Sequence, residues 1–274
     1  MIELLYKIKV KNVINNGGRL VKKIVNIRNI KIGEGIPKIC IPLVGKTYED
    51  IIEEVNNIKK FKFDLVEWRI DFYKNVNDIN SIKKVLNELR IILKETPILV
   101  TFRSKKEGGE LEISNEEYVK LYKDIILTNN IDLIDVELFI GDEIVKDLIE
   151  FSHKNNIKVI ISNHDFNKTP NKEEIIKRLC KMQELNADLP KIAVMPKTPS
   201  DVLILLSATN EMVTKYADRP IITMSMAGDG LISRISGEVF GSALTFGSAK
   251  KASAPGQIPV SELSNILNVI HTNL

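Results

Sequence analysis

A chain of 274 residues with 39 basic and 36 acidic side chains has a formal net charge of +3, too little to make nucleic acid or an anionic membrane its main partner. Hydrophobic residues make up 44% and charged residues 27%, an ordinary balance for a globular chain with a full core. No run approaches the roughly 18 apolar residues of a spanning helix. The cysteines, Cys40 and Cys180, and the histidines, His153, His164 and His271, fall at no metal-ligand spacing, so neither a structural zinc nor a disulfide scaffold underlies the fold. The amino terminus, MIELLYKIKVKN, carries charges through its apolar stretch and lacks a small-residue cleavage site, so no secretory signal is expected and a cytoplasmic location follows.

Residues 1–36 stand outside the pattern of the rest, and VKKIVNIRNIKIGEG (21–35) reads as a short β-hairpin placed to close the bottom of a barrel. From there, short β-branched runs alternate with amphipathic, charge-bearing stretches. The first run is KICIPLV (38–44), followed by a helix over 47–60 with Thr47 three residues before Asp50 as a loose capping box. DLVEWRID (64–71) and PILVTFR (97–103) come next, then Ser114 and Glu117 as a cleaner box opening a helix through Ile126. DLIDVELF (132–139) and KVIISNHDF (158–166) precede a helix over 171–186, and KIAVMP (191–196) precedes one over 200–216, with Pro199 near its start. PIITMSM (220–226), ALTFGS (243–248) and a closing helix near 261–272 complete the series. Successive runs lie 23 to 35 residues apart, room for a helix and two loops. Eight such units predict one (β/α)8 TIM barrel over 37–274, with residues 1–36 as an extension and hairpin of the same single domain.

Alternation along barrel strands sends Val66, Trp68 and Ile70 toward the helices and Glu67, Arg69 and Asp71 inward. Thr101 and Arg103 on the third strand and Asp135 and Glu137 on the fourth also point inward. Burying such charges costs several kcal/mol each unless they are paired, so they form either a structural ion network or a site at the carboxyl ends of the strands. Lys191 shares a face with Ala193 and Met195. If that face is interior, desolvation disfavours its charge and yields an amine able to attack a carbonyl; the alternative is a strand-capping lysine that reaches solvent. Its place early in KIAVMP fits a barrel site if its four-methylene side chain reaches up to it or if the strand starts earlier, near Asp188. His164 ends the fifth strand, placed for proton transfer near neutral pH, or else as a hydrogen-bonded loop histidine. Glu107, in RSKKEGGE, either orients that imidazole or is a solvated loop carboxylate. Arg234 in AGDGLISR and the small-residue run GSAKKASAPGQ fit the anion-binding loops after strands seven and eight, while Lys250 and Lys251 read as solvated surface.

Five motifs in order, EWR (67–69), TFRSKKEGGE (101–110), SNHDF (162–166), PKIAVMP (190–196) and ASAPGQI (252–258), resemble the type I 3-dehydroquinate dehydratases, the Schiff-base-forming enzymes of the shikimate pathway. The resemblance runs from about Pro37 to the carboxyl terminus. It implies that Lys191 forms an imine with the ketone of 3-dehydroquinate, that His164 is the general acid and base, and that Glu107 positions His164. It further implies that Glu67, Arg69 and Arg103 hold ring hydroxyls and that Arg234 binds the substrate carboxylate. Ser253 and Gln257 would close over the substrate, with Met226 and Phe246 packed near its ring. No metal or other cofactor is required, the partner is the small-molecule substrate, and a homodimer is expected. Some members have Ser where this chain has Pro42, and residues 1–18 find no match. A class I aldolase acting on sugar phosphates would share the lysine and the interior charges but fits an arginine–glutamine carboxylate site less well. A metabolite sensor could dispense with the lysine or histidine, whereas Lys191, His164 and Glu107 all stand here together.

Overall fold

The computed structural model describes residues 23–249 and 256–274. Eight parallel strands form the barrel: β3 (Lys38–Leu43), β4 (Leu65–Arg69), β5 (Ile98–Thr101), β6 (Leu133–Glu137), β7 (Lys158–Asp165), β8 (Leu189–Val194), β9 (Ile222–Ser225) and β10 (Leu244–Ser248). Neighbours pair in chain order, and β10 returns to pair with β3, Phe246 opposite Cys40. At the last seam a parallel bridge joins Ile221 to Ser242, with the Ala243 N–H donating to the Ile221 carbonyl at 2.9 Å. The fold is the (β/α)8 barrel. A short strand, β11 (Ile258–Pro259), adds to β10 at Gly247 and Ser248.

Two apolar shells follow from strand alternation. Val66, Trp68, Val100, Ile134, Ile161 and Ile192 face outward and pack under the surrounding helices. Each barrel strand also contributes one residue to a layer within: Cys40, Leu65, Leu99, Leu133, Ile160, Leu189, Ile222 and Leu244. Beneath that layer lies the hairpin of β1 (Val25–Ile27) and β2 (Ile30–Ile32), antiparallel, with Val25, Ile27, Ile30 and Ile32 in the same interior cluster. The predicted hairpin therefore closes the barrel floor. Residues 1–22 of the extension lie outside the described residues.

The helices begin where the capping signals place them. Thr47 accepts from the Asp50 N–H ahead of α1 (Tyr48–Ile58), with the reciprocal bond from Asp50 also made, and Ser114 does the same with Glu117 ahead of α3 (Asn115–Ile126). Between them, α2 (Ile79–Leu93) is capped by Asp78. Later come α4 (Asp142–Lys154), α5 (Lys172–Glu184) and α6 (Pro199–Glu211) with Pro199 at its first turn. Where one helix was expected to run to residue 216, α6 gives way to a π-helical turn over Met212–Tyr216. Two short helices, α7 (Leu231–Ile235) and α8 (Gly237–Phe240), and the terminal α9 (Val260–Thr272) complete the chain. No helix among the described residues is long and apolar enough to cross a membrane.

Candidate active site

One step above the apolar layer, alternation brings Glu67, Thr101, Asp135, Ser162, Lys191, Met224 and Phe246 to the interior, and one step further Arg69, Arg103, Glu137, His164, Ala193 and Met226. Together these two levels replace branched aliphatics with charges at the carboxyl ends of the strands, where barrels carry their sites. They open into a cavity of about 500 Å³ lined by Glu67, Arg69, Arg103, Glu107, Gly108, His164, Phe166, Lys191, Ala193, Met224, Met226, Arg234, Phe246 and Gln257. Every residue singled out for the site from the sequence lines this cavity except Ser253, which lies outside the described residues.

Lys191 is the third residue of β8, which begins at Leu189, close to the early strand start near Asp188 that would suit a barrel site. The side chain is 4% exposed, with Nζ 2.9 Å from Oδ2 of Asp135 and 4.7 Å from the centroid of the Phe246 ring. It does not reach solvent, and it is not simply desolvated either: an ammonium–carboxylate pair occupies the barrel interior. Asp135 is the residue that sequence reading placed inward without assigning it to the site. Its other oxygen accepts from Arg103 at 2.8 Å and from the Ser162 hydroxyl. Burial opposes its ionisation, but Arg103 and Lys191 outweigh burial and hold its carboxyl far below the usual range.

Arg103 is the hub of the ionic layer. It donates to Asp135, to Glu137 at 2.9 Å and to Ser162 at 3.0 Å, and lies 3.7 Å from Glu107. Burial works against its charge, yet Asp135, Glu137 and Glu107 raise its pKa well above the ordinary value. Arg69, in the cavity wall, makes a two-pronged pair with Asp71, both contacts at 2.8 Å, and its guanidinium lies over the Phe72 ring, 4.9 Å from the centroid. Glu67 accepts from the Thr101 hydroxyl at 2.8 Å. The nearby Cys40 thiol, pushed up by burial and the Glu67 charge, stays protonated and inert.

Glu107 ends a single 3-10 turn, Lys105–Glu107, that tucks its carboxyl inward, so it is buried and not a solvated loop residue. Oε2 accepts from the backbone N–H of His164 at 2.9 Å and lies 3.0 Å from His164 Nδ1, and Oε1 accepts from Asn163 at 3.0 Å. With Nδ1 held on the carboxylate, Nε2 is the nitrogen left to act on a ligand. Burial, then the charges of Arg103 and Lys191, push the imidazole well below its ordinary pKa, so it is a neutral base at pH 7. Burial raises Glu107 to about 7 against the pull of Arg103. The turn fits because Gly108 adopts φ +83° with the Phe166 ring directly over it; a Cβ there would overlap the ring.

Arg234, expected in a loop, sits on the short helix α7, buried beside Met224, its Nη1 3.8 Å from Sδ. Burial lowers its guanidinium to about 10, which leaves it cationic at neutral pH. Gln257 reaches the same cavity from the approach to β11. Among the described residues no group of His, Cys, Asp and Glu side chains is arranged to hold a metal ion.

Fold and site together define a barrel enzyme with a buried lysine, a histidine–carboxylate pair and an arginine facing one small cavity. The family model for type I 3-dehydroquinase matches residues 39–274, and the chain belongs to that family. It is 59% identical over 253 residues to the 3-dehydroquinate dehydratase of Clostridioides difficile strain 630, covering 92% of this chain and 99% of that one. A crystal structure of the type I 3-dehydroquinate dehydratase from Clostridium difficile, with covalently modified comenic acid, superposes with a TM-score of 0.91 at 59% identity over 93% of this chain and all of that one. The 3-dehydroquinate dehydratase of Geobacillus kaustophilus HTA426 gives a TM-score of 0.89 at 37% identity, over 93% of this chain and 98% of the other.

Proposed function

We propose that the chain dehydrates 3-dehydroquinate to 3-dehydroshikimate through an imine on Lys191, serving aromatic biosynthesis in the shikimate pathway. The observation that carries the reading is the Lys191–Asp135 pair buried at the floor of a cavity that also holds the His164–Glu107 pair. Ammonium plus ketone gives protonated imine plus water with no net change in charge. Asp135 therefore remains a matched counter-ion from the resting enzyme to the intermediate, and the ammonium proton is only lent during attack. The protonated imine withdraws electrons from the adjacent carbon. His164 Nε2 takes a proton from that carbon, the electron pair forms the enamine, and the enamine expels the β-hydroxyl. The imidazolium returns its proton to the departing oxygen, which leaves as water. Addition of a second water to the imine frees the product and restores Lys191.

Binding is divided among the remaining groups. Arg234 and Gln257 take the ring carboxylate, Glu67, Arg69 and Arg103 the hydroxyls, and Met226 and Phe246 pack against the ring; Ser253 completes the closing loop. Holding the ring by several points keeps the ketone carbon within attack distance of Nζ. The Clostridium difficile relative is solved with covalently modified comenic acid, which supports covalent chemistry for a protein of this family. No bound metal or organic cofactor has a part in these steps.

The test is borohydride reduction in the presence of 3-dehydroquinate followed by peptide mass mapping. Irreversible inactivation with the reduced adduct on Lys191 is expected, and an adduct on any other residue overturns the assignment. The family resemblance also supports a cytoplasmic homodimer, each subunit one domain whose hairpin and barrel share an interior cluster; light scattering that returned a monomer would remove the dimer.

A further inference from the structure

Asn163 and Arg178 take no part in the steps above, yet both belong to a chain of contacts that ends on the catalytic pair. Asn163 lies between Ser162 and His164 on β7, so its side chain leaves the opposite face of the sheet. It is 3% exposed. Its amide Nδ2 donates to Glu107 Oε1 at 3.0 Å, and its Oδ1 accepts from Arg178 Nη1 at 2.8 Å. Arg178, on α5, is held in turn by Glu174 at 2.8 Å, with Asp165 at 3.7 Å and the Phe139 ring 5.5 Å away.

The chemistry of the two ends dictates the middle. A guanidinium only donates and a carboxylate only accepts, so one orientation of the amide satisfies both neighbours and the flipped one satisfies neither. We propose that Arg178, acting through Asn163, is a positioning residue that locks an N–H onto Glu107 and thereby sets the proton balance of the His164–Glu107 pair. The inference rests on the dehydratase reading above. Besides Asn163, the groups facing Glu107 are Arg103 just past β5, Glu137 at the end of β6 and His164 on β7, and none of them touches Arg178. The relay is thus an input to Glu107 from outside the barrel, independent of the ionic layer inside it.

A donated hydrogen bond favours the carboxylate, and its removal moves the acid limb of the pair toward higher pH. The pH profile of single-turnover elimination reads this directly. In Asn163→Leu, near in shape and unable to donate, the acid limb is expected about one pH unit higher. Arg178→Leu, which lets the amide turn, is expected to give a smaller shift in the same direction. The double variant should match Asn163→Leu alone, because Arg178 has nothing left to orient. If Asn163→Leu does not fold, Asn163→Asp places a carboxylate against Glu107 and is expected to raise the limb at least as far. Borohydride trapping on Lys191 should be unchanged in all of them. A profile for Asn163→Leu or Asn163→Asp that superposes on the wild type overturns the proposal, as does a full additional shift from Arg178→Leu in the Asn163→Leu background. Failure of the underlying reading is separable: it appears in the wild type, as no dehydration and no adduct.

Discussion

Lys191 and Asp135 face each other across the barrel from β8 and β6, Nζ to Oδ2 at 2.9 Å, and neither side chain is more than 4% exposed. Asp135 thus sets a buried carboxylate against the nitrogen that carries the imine in the proposed reaction. Asp135→Asn should therefore do more than slow the reaction: it leaves Arg103 and Lys191 short of a buried partner. Loss of one member of such a pair costs about 3–5 kcal/mol, a fall in melting temperature on the order of 10 °C, readable by calorimetry. A change of under a few degrees would mean the pair is not the counter-charge described.

His164 and Glu107 make opposite contributions to stability against pH. His164 is depressed, so the unfolded chain binds the extra proton and stability rises with pH through its unfolded value of about 6.5. Glu107 is raised to about 7, so its contribution is fully present below about 4.3 and is lost as pH climbs through 7. Below the unfolded His164 value of about 6.5 and above the unfolded Glu107 value of about 4.3 the two slopes have opposite signs. Urea titrations of Glu107→Gln should reveal stability rising with pH in that window, and those of His164→Ala stability falling, each with a slope up to about 1.4 kcal/mol per pH unit. Parallel slopes in both variants would contradict the shifts.

His164→Ala should still form the reducible adduct on Lys191 while elimination falls about 10²- to 10⁴-fold, the usual worth of a positioned acid or base. The two readouts come from one sample, quenched by borohydride or followed by enone absorbance. Elimination near the wild-type rate would remove His164 from the mechanism.

Arg234→Lys keeps the charge but not the planar fork that grips a carboxylate at two points. A drop in kcat/KM of about ten- to a hundredfold is expected, carried mainly by KM. An unchanged KM with depressed kcat would place Arg234 at the reacting atoms and not at the carboxylate.

Gly108→Ala introduces a left-handed backbone cost of about 1–2 kcal/mol and drives a methyl group into the Phe166 ring. Because Glu107 is the adjacent residue, the elimination step should suffer more than imine formation. Stopped-flow and borohydride trapping on the same variant separate the two.

The barrel was legible because its signals are local and repeated: β-branched runs at near-regular spacing, capping pairs at Thr47–Asp50 and Ser114–Glu117, and strand alternation that sorts Glu67 from Trp68. Family motifs then pointed to Lys191, His164, Glu107 and Arg234, all of which reach one cavity. What stayed hidden depends on contacts between distant segments. Asp135 reads as one inward carboxylate among several until β8 brings Lys191 against it. Asn163 falls by alternation on the outer face of β7, and it is the turn at Glu107, folded back over that strand, that gives its amide a partner at the cavity. The π turn at Met212–Tyr216 carries no composition signal that would separate it from the helix before it.

The hairpin beneath the strands also has a bearing on catalysis at the other end. Ile27 and Ile32 seal the floor beneath a ring of buried apolar side chains, so among the described residues the ionic layer opens toward the cavity at the carboxyl ends of the strands. A ligand settling on that side would take away the hydration left to the more exposed groups of the cavity, His164, Glu107 and Arg69, in a single event. Field strength in the site would then be switched on by occupancy, as charges that water had partly shielded came to act at the low effective dielectric of the interior.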